Sequence, residues 1–176
     1  SGAIVVGSKG TLNINGGSVT AAGTGKNGVH VRGGGEFRMA GGRLTVTGSG
    51  KPVIENVGNF NLSGGTISTK SNSDGIGFLQ SGGSATIQAQ ELITDRLYIN
   101  SSFTVASGGK VTSGSTIIDS GTLTNEGEFV SNGPFVKKEN GTFINKGTIS
   151  GNGSLPDDAK QTPDPITVYT AEISEN

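Results

Sequence analysis

The residues of this 176-residue chain that could do chemistry are few and scattered. Carboxylates come first. Hydrolysis of a glycosidic bond needs two of them across one groove, one giving a proton and one taking it or attacking. No Asp-Asp or Asp-x-Asp occurs within the repeats described below, and Asp157-Asp158 fall in the tail. Asp74, Glu91 and Asp95 sit on neighbouring repeats and are the carboxylates that could converge. "KSNSDG" (Lys70–Gly75) offers the oxygens of Asn72, Ser73 and Asp74 to a hard cation, but one carboxylate is thin for Ca²⁺, and a polar turn with Gly75 at positive φ is the simpler reading. His30 is the only histidine, and Glu55 lies 25 residues on, in the same row of the repeat. That spacing allows a His–Glu pair across adjacent repeats, whereas one imidazole cannot build a histidine metal site. There is no cysteine, which excludes disulfides and thiolate ligands. No catalytic residue, metal or cofactor is assigned.

Recognition needs less than catalysis. Arg38 and Arg43 interrupt rows that elsewhere carry Asn13, Asn61, Ser18 and Thr66, and they could contact an anionic or hydroxylated ligand. Tyr98 lies between Leu97 and Ile99 and should point outward, a platform on which a sugar ring could stack. The other candidate aromatics, Phe37, Phe60, Phe103, Phe129 and Phe143, fall on inward positions and belong to the core. The candidate ligand-binding set is therefore Arg38, Arg43, Asn13, Asn61, His30, Glu55 and Tyr98.

The elements that must hold these residues follow from an internal repeat. "TLNINGGSVTAAGTGK" (Thr11–Lys26) and "EFRMAGGRLTVTGSGK" (Glu36–Lys51) share one skeleton at a shift of 25. A third copy follows at Phe60, Leu62, Gly64-Gly65 and Ile67, and a fourth at Ala85, Ile87 and Leu92, with Ala89-Gln90 in place of the glycine pair. Upstream of each copy stands a short strand: "AIVV" from Ala3, "GVHV" from Gly28, "GIGF" from Gly75, and an irregular "VIEN" from Val53. In the C-terminal half the shift falls to 20, relating "GTLTNEGEFVSNG" to "GTFINKGTISGNG". Leu97, Ile99, Phe103, Val105, Val111, Ile117 and Leu123 mark the turns between.

Within each copy apolar residues alternate with polar ones, the period of a half-buried strand. Segments of three to five residues between Gly-rich corners are too short for helices, and the corners "NGG" and "SGG" tolerate positive φ. A repeat made only of such pieces is one coil of a β-solenoid, whose parallel stacking at ~4.8 Å turns equivalent side chains into ladders. Three inward ladders are expected: Leu12/Phe37/Phe60/Ala85, Ile14/Met39/Leu62/Ile87 and Val19/Leu44/Ile67/Leu92. Two outward rows follow by alternation, Asn13/Arg38/Asn61/Thr86 and Ser18/Arg43/Thr66/Glu91, with Thr20/Thr45/Ser68 continuing the face.

Composition narrows the function classes. Glycine is 32 of 176 residues, about 18% against a usual ~7%, without the three-residue period of collagen. Residues 1–54 carry a net charge of +5 and the remainder −6, which can orient a partner but gives no overall polyelectrolyte. Basic residues are sparse and not interleaved with aromatics, so nucleic acid is not an expected partner. No apolar run reaches the ~20 residues of a membrane helix, and no membrane insertion is expected. Arg43 and Lys70 break the threonine face that ice binding would need. The sequons at Asn61, Asn100, Asn140 and Asn152 are what chance supplies in so Asn-, Ser- and Thr-rich a chain.

"GGSVTAAGTGKNGVHV", "GGRLTVTGSGK", "GTLTNEG" and "GTFINKG" resemble the coils of right-handed parallel β-helix proteins of the pectin-lyase-like type, closest to repeat regions of bacterial cell-surface and adhesin-like proteins. The resemblance spans about residues 3–154 and implies polysaccharide-processing enzymes, carbohydrate-binding surface proteins or passive stalks, among which fold alone does not choose. The expectation is an all-β, right-handed parallel β-helix (β-solenoid) of about seven coils with 20–25-residue repeats over residues 1–154. A linker and a terminal strand, "ITVYTAEI" (Ile166–Ile173), follow in 155–176 and pack on the solenoid, cover its end or start another domain. Ser1-Gly2 reads as a cloning remnant, with any signal peptide already removed. The expected function is a non-catalytic structural or adhesive module outside a bacterial cell, monomeric within a larger protein, with weak binding to extracellular polysaccharide or host glycan. A dedicated carbohydrate-binding domain and a polysaccharide lyase or hydrolase are the alternatives.

Overall fold

The computed structural model describes residues 2–49, 51–71 and 75–156. The expected terminal strand Ile166–Ile173 and the Asn72–Asp74 loop lie outside the described residues. No helix occurs among the described residues, which are strands joined by turns and short loops. The first circuit is β1 (Gly2–Val6), β2 (Thr11–Ile14) and β3 (Ser18–Thr24). The second is β4 (Asn27–Val31) and β5 (Glu36–Ser49), and the third β6 (Ile54–Asn56) and β7 (Asn59–Ser71). Next come β8 (Phe78–Gln80), β9 (Ser84–Ile87) and β10 (Gln90–Thr94), then β11 (Leu97–Ile99), β12 (Ser102–Val105) and β13 (Gly109–Ser113). β14 (Thr116–Ile118), β15 (Thr122–Asn125) and β16 (Glu128–Ser131) are followed by β17 (Phe135–Lys137), β18 (Thr142–Asn145) and β19 (Thr148–Ser150).

The strands pair in parallel throughout the described residues, and strands one circuit apart are neighbours. β1, β4, β6, β8, β11, β14 and β17 form a seven-stranded sheet. The other strands form a twelve-stranded sheet that bends through β5 and β7. Counted from β1 to β17, the chain makes about six turns of a β-solenoid. The three expected inward ladders are present in register and continue to the C-terminal end as Phe103/Leu123/Phe143, Val105/Asn125/Asn145 and Val111/Phe129/Ile149.

Three local readings change. "VIEN" is regular, with Val29, His30 and Val31 opposite Ile54, Glu55 and Asn56. "GIGF" is the displaced one, because the strand begins only at Phe78, which lies opposite Ile54. The corners of the second and third circuits do not end their strands. β5 and β7 run 14 and 13 residues straight through them, with irregular pairing at Ala40–Arg43. Gly42 and Gly65 take φ of 86° and 83° there, and in the next circuit Gln90 takes the position at φ 65°, the one non-glycine residue with positive φ among the described residues.

The interior is not uniformly apolar. The inward ladder Val6/Val31/Asn56/Gln80/Ile99/Ile118 of the seven-stranded sheet carries two buried amides. Asn56 Nδ2 donates to Gln80 Oε1 (2.8 Å), Ser84 O (3.0 Å) and Gly58 O (3.2 Å), and Gln80 Nε2 donates to Gly82 O (2.6 Å). These bonds tie the turn leaving the short strand to the coil beside it, satisfying carbonyls that a buried corner would otherwise strand. A hydroxyl ladder, Thr69/Thr94/Ser113/Ser131, does the same at the opposite corner: Thr69 donates to Thr94 (2.9 Å), and Thr94, Ser113 and Ser131 donate to carbonyls two residues on.

Candidate functional site

Both arginines face outward, and the reason is the bulge. They are five residues apart on β5, so strict alternation would put them on opposite faces. The irregular pairing between Met39 and Arg43 resets the parity. Arg38 lies between Asn13 and Asn61, and Arg43 between Ser18 and Thr66, each in its expected row. The rows are separate, so the strand does not gather the two guanidiniums. Arg38 Nε donates to Glu36 Oε1 on its own strand at 2.7 Å. The Arg43 side chain is exposed and forms no ion pair or hydrogen bond among the described residues. Beyond Ser68 the hydroxyl face is interrupted at Ile93, which is 36% exposed, before Thr112 follows.

His30 and Glu55 are direct neighbours on β4 and β6, on the outward row of the seven-stranded sheet. No hydrogen bond joins them, and the buried His30 Nδ1 has no partner. Tyr98 is in the same row, but Leu79 separates it from Glu55. From Leu79 the row runs through Tyr98 and Ile117 to Val136, which is 46% exposed. Tyr98 does not present a bare ring. Lys138 Nζ stands 5.9 Å from its ring centre and 3.5 Å from its hydroxyl, and pairs with Asp119 at 2.6 Å. The hydrogen bond from the Lys138 ammonium, helped by the Tyr98 hydroxyl, holds the Asp119 carboxyl below its ordinary value, and the same bond raises Lys138. Sequence reasoning missed Asp119 and Lys138, since they join Tyr98 only once three coils are stacked.

The candidate carboxylates are engaged elsewhere. Glu91 Oε1 accepts from the Thr112 hydroxyl at 2.6 Å, and Asp95 accepts from the backbone N–H of Ser71 at 2.6 Å and of Arg96 at 3.0 Å. Asp74 lies outside the described residues. No group of three or more His, Cys, Asp or Glu stands together among the described residues. A search for Asp pairs also passes over Glu126-Gly127-Glu128, two carboxylates in one corner. Glu128 pairs with Lys110 and Glu126 with Lys146, each at 3.2 Å and each one coil away.

No protein-family model matches this chain, and no curated protein or solved structure matches it significantly.

Proposed function

We propose that the chain is a non-catalytic structural and adhesive module of a bacterial surface protein, working outside the cell as a segment of stiff rod of the pectin-lyase-like kind. One observation carries this reading: charged groups on the surface are stitched from coil to coil along the rod. Lys110–Glu128, Lys138–Asp119 and Lys146–Glu126 each join neighbouring coils, as does Thr112 with Glu91. Such pairs reinforce the axis, and each adds little by itself because it is exposed. The exposed and unpaired Arg43 favours a second reading, a carbohydrate-binding face that takes acidic polysaccharide. A lyase or hydrolase reading would need Glu91 and Asp95 released from their bonds to Thr112 and Ser71. The test is titration against acidic and neutral polysaccharides, with product analysis of each. Degradation of any of them would overturn the non-catalytic reading. Binding of none would end the carbohydrate-binding one, and unchanged acidic-polysaccharide binding by Arg43→Ala would remove Arg43 from it.

A further inference from the structure

The coils shorten part-way along the rod, and a groove lies on one corner of the shorter ones. Phe78, Leu97, Thr116 and Phe135 succeed one another at intervals of 19, whereas Ile4, Val29 and Ile54 are 25 apart. In the second and third circuits one continuous strand, β5 or β7, rounds the corner, whereas the equally long first circuit breaks there between β2 and β3. In the shorter ones the strand breaks there, between β12 and β13 and again between β15 and β16. The outer side of these broken corners is a cavity of about 430 Å³, within the usual range for small-ligand sites. Gly108, Gly109 and Gly127 keep its floor free of side chains, and Lys110, Glu126 and Glu128 supply its charge.

We infer that this groove is a binding site for uncharged, hydroxyl-rich ligands, meaning neutral oligosaccharides. The inference rests on the carbohydrate-binding reading above and moves it from the arginine face to this corner. The chemistry is that of hydrogen-bond supply. Glu128 and Glu126 each meet a lysine through Oε1 alone, at 3.2 Å, which leaves further acceptor positions on both carboxylates. The Lys110 ammonium has three donors and spends one on Glu128. Side by side, these groups match the alternating donors and acceptors of vicinal hydroxyls. The ladder holds them in place, with Lys110 opposite Glu128 and Glu128 opposite Thr148. Each carboxylate is met by an ammonium, Glu128 by Lys110 and Glu126 by Lys146, so the groove carries no net charge to draw in uronates or sulfated glycans. Arg43, on the other half of the rod, has the opposite preference.

The probes are neutral glucan, mannan and xylan oligosaccharides beside polygalacturonate, each titrated against wild type, Glu126→Gln/Glu128→Gln and Arg43→Ala. The three carboxylate and arginine positions are on the surface, and far-ultraviolet circular dichroism confirms that each variant is folded. The expected result is that at least one neutral oligosaccharide binds, that the double Gln variant weakens it tenfold or more, and that Arg43→Ala leaves it unchanged. No binding of any neutral oligosaccharide, or equal binding by the double variant, overturns the groove. Polygalacturonate binding that disappears in Arg43→Ala, with no neutral oligosaccharide bound, would overturn the groove while sustaining the broader carbohydrate-binding reading.

Discussion

Phe60 offers the most direct measure of whether the stacked interior holds the rod together. It is 2% exposed, lies face to face with Phe37 (centroids 4.3 Å apart, planes 4° apart), and meets Phe78 edge-on at 5.1 Å. Phe→Ala in a core costs about 3–5 kcal/mol through lost transfer energy and the cavity left behind. Two aromatic partners at favourable distances, each worth ~0.5–1.5 kcal/mol, place Phe60→Ala at the upper end, about 4–5 kcal/mol. Phe60→Leu keeps much of the volume and should cost only about 1–2 kcal/mol. With an m-value of roughly 2 kcal/mol/M, the alanine variant should lower the urea midpoint by about 2 M. Circular dichroism near 218 nm reads that midpoint, and a cycle with Phe37→Leu isolates the stacked pair, for which a coupling of ~1 kcal/mol is expected. Each coil touches only its neighbours, so the alanine variant should also split or broaden the transition. A cost below ~1.5 kcal/mol, or zero coupling between positions 37 and 60, would refute the ladder as the source of stability.

Other perturbations probe other parts of the coil. Asn56→Val copies the valine one coil earlier but takes the donor from Gln80 Oε1 and from the Ser84 carbonyl, and should cost about 1–2 kcal/mol in chemical denaturation despite being the more apolar side chain. Gln90→Gly should stabilise by about 1 kcal/mol in the same assay, since Gln90 is exposed and holds a left-handed conformation that glycine adopts without strain. Lys138→Met should let the Asp119 carboxyl rise toward its ordinary value in a nuclear magnetic resonance titration. The sign follows from the pair: the depressed Asp119 contributes stability above its unfolded pKa that is lost as pH falls through the folded value. The raised Lys138 contributes stability below its unfolded pKa that is lost as pH rises through its folded value. The variant should therefore flatten stability at both the acid and the alkaline end, and an unmoved Asp119 would count against the assigned bond.

Much of the coil could be read from residues alone because the twelve-stranded sheet repeats its alternation at a constant shift. Leu12, Phe37, Phe60 and Ala85 are apolar at the same phase, and the structure stacks them. The short strands of the other sheet were harder. Three residues hold one alternation, too few to distinguish "GIGF" from its displaced register at Phe78. Asn56 and Gln80 invert the usual signal, since their bonds to corner carbonyls justify burial and no hydrophobic pattern announces them. Nor does a Gly-Gly pair disclose whether a strand bends or breaks, which is why the continuity of β5 and β7 came from structure. Of the candidate site residues, outward direction was legible for Arg38, Arg43 and Tyr98. The company they keep was not: Lys138 reaches Tyr98 across 40 residues, a distance that means nothing until the coils are counted.

The strict register has a consequence for how such a chain can change length. One residue added within a strand would turn every later side chain of that strand to the wrong face. One whole circuit added or removed leaves each ladder with like above like, and only the outward rows notice. Growth in this molecule therefore comes in quanta: a genetic duplication of one circuit lengthens the rod by a single ~4.8 Å rung and leaves its interior as it was.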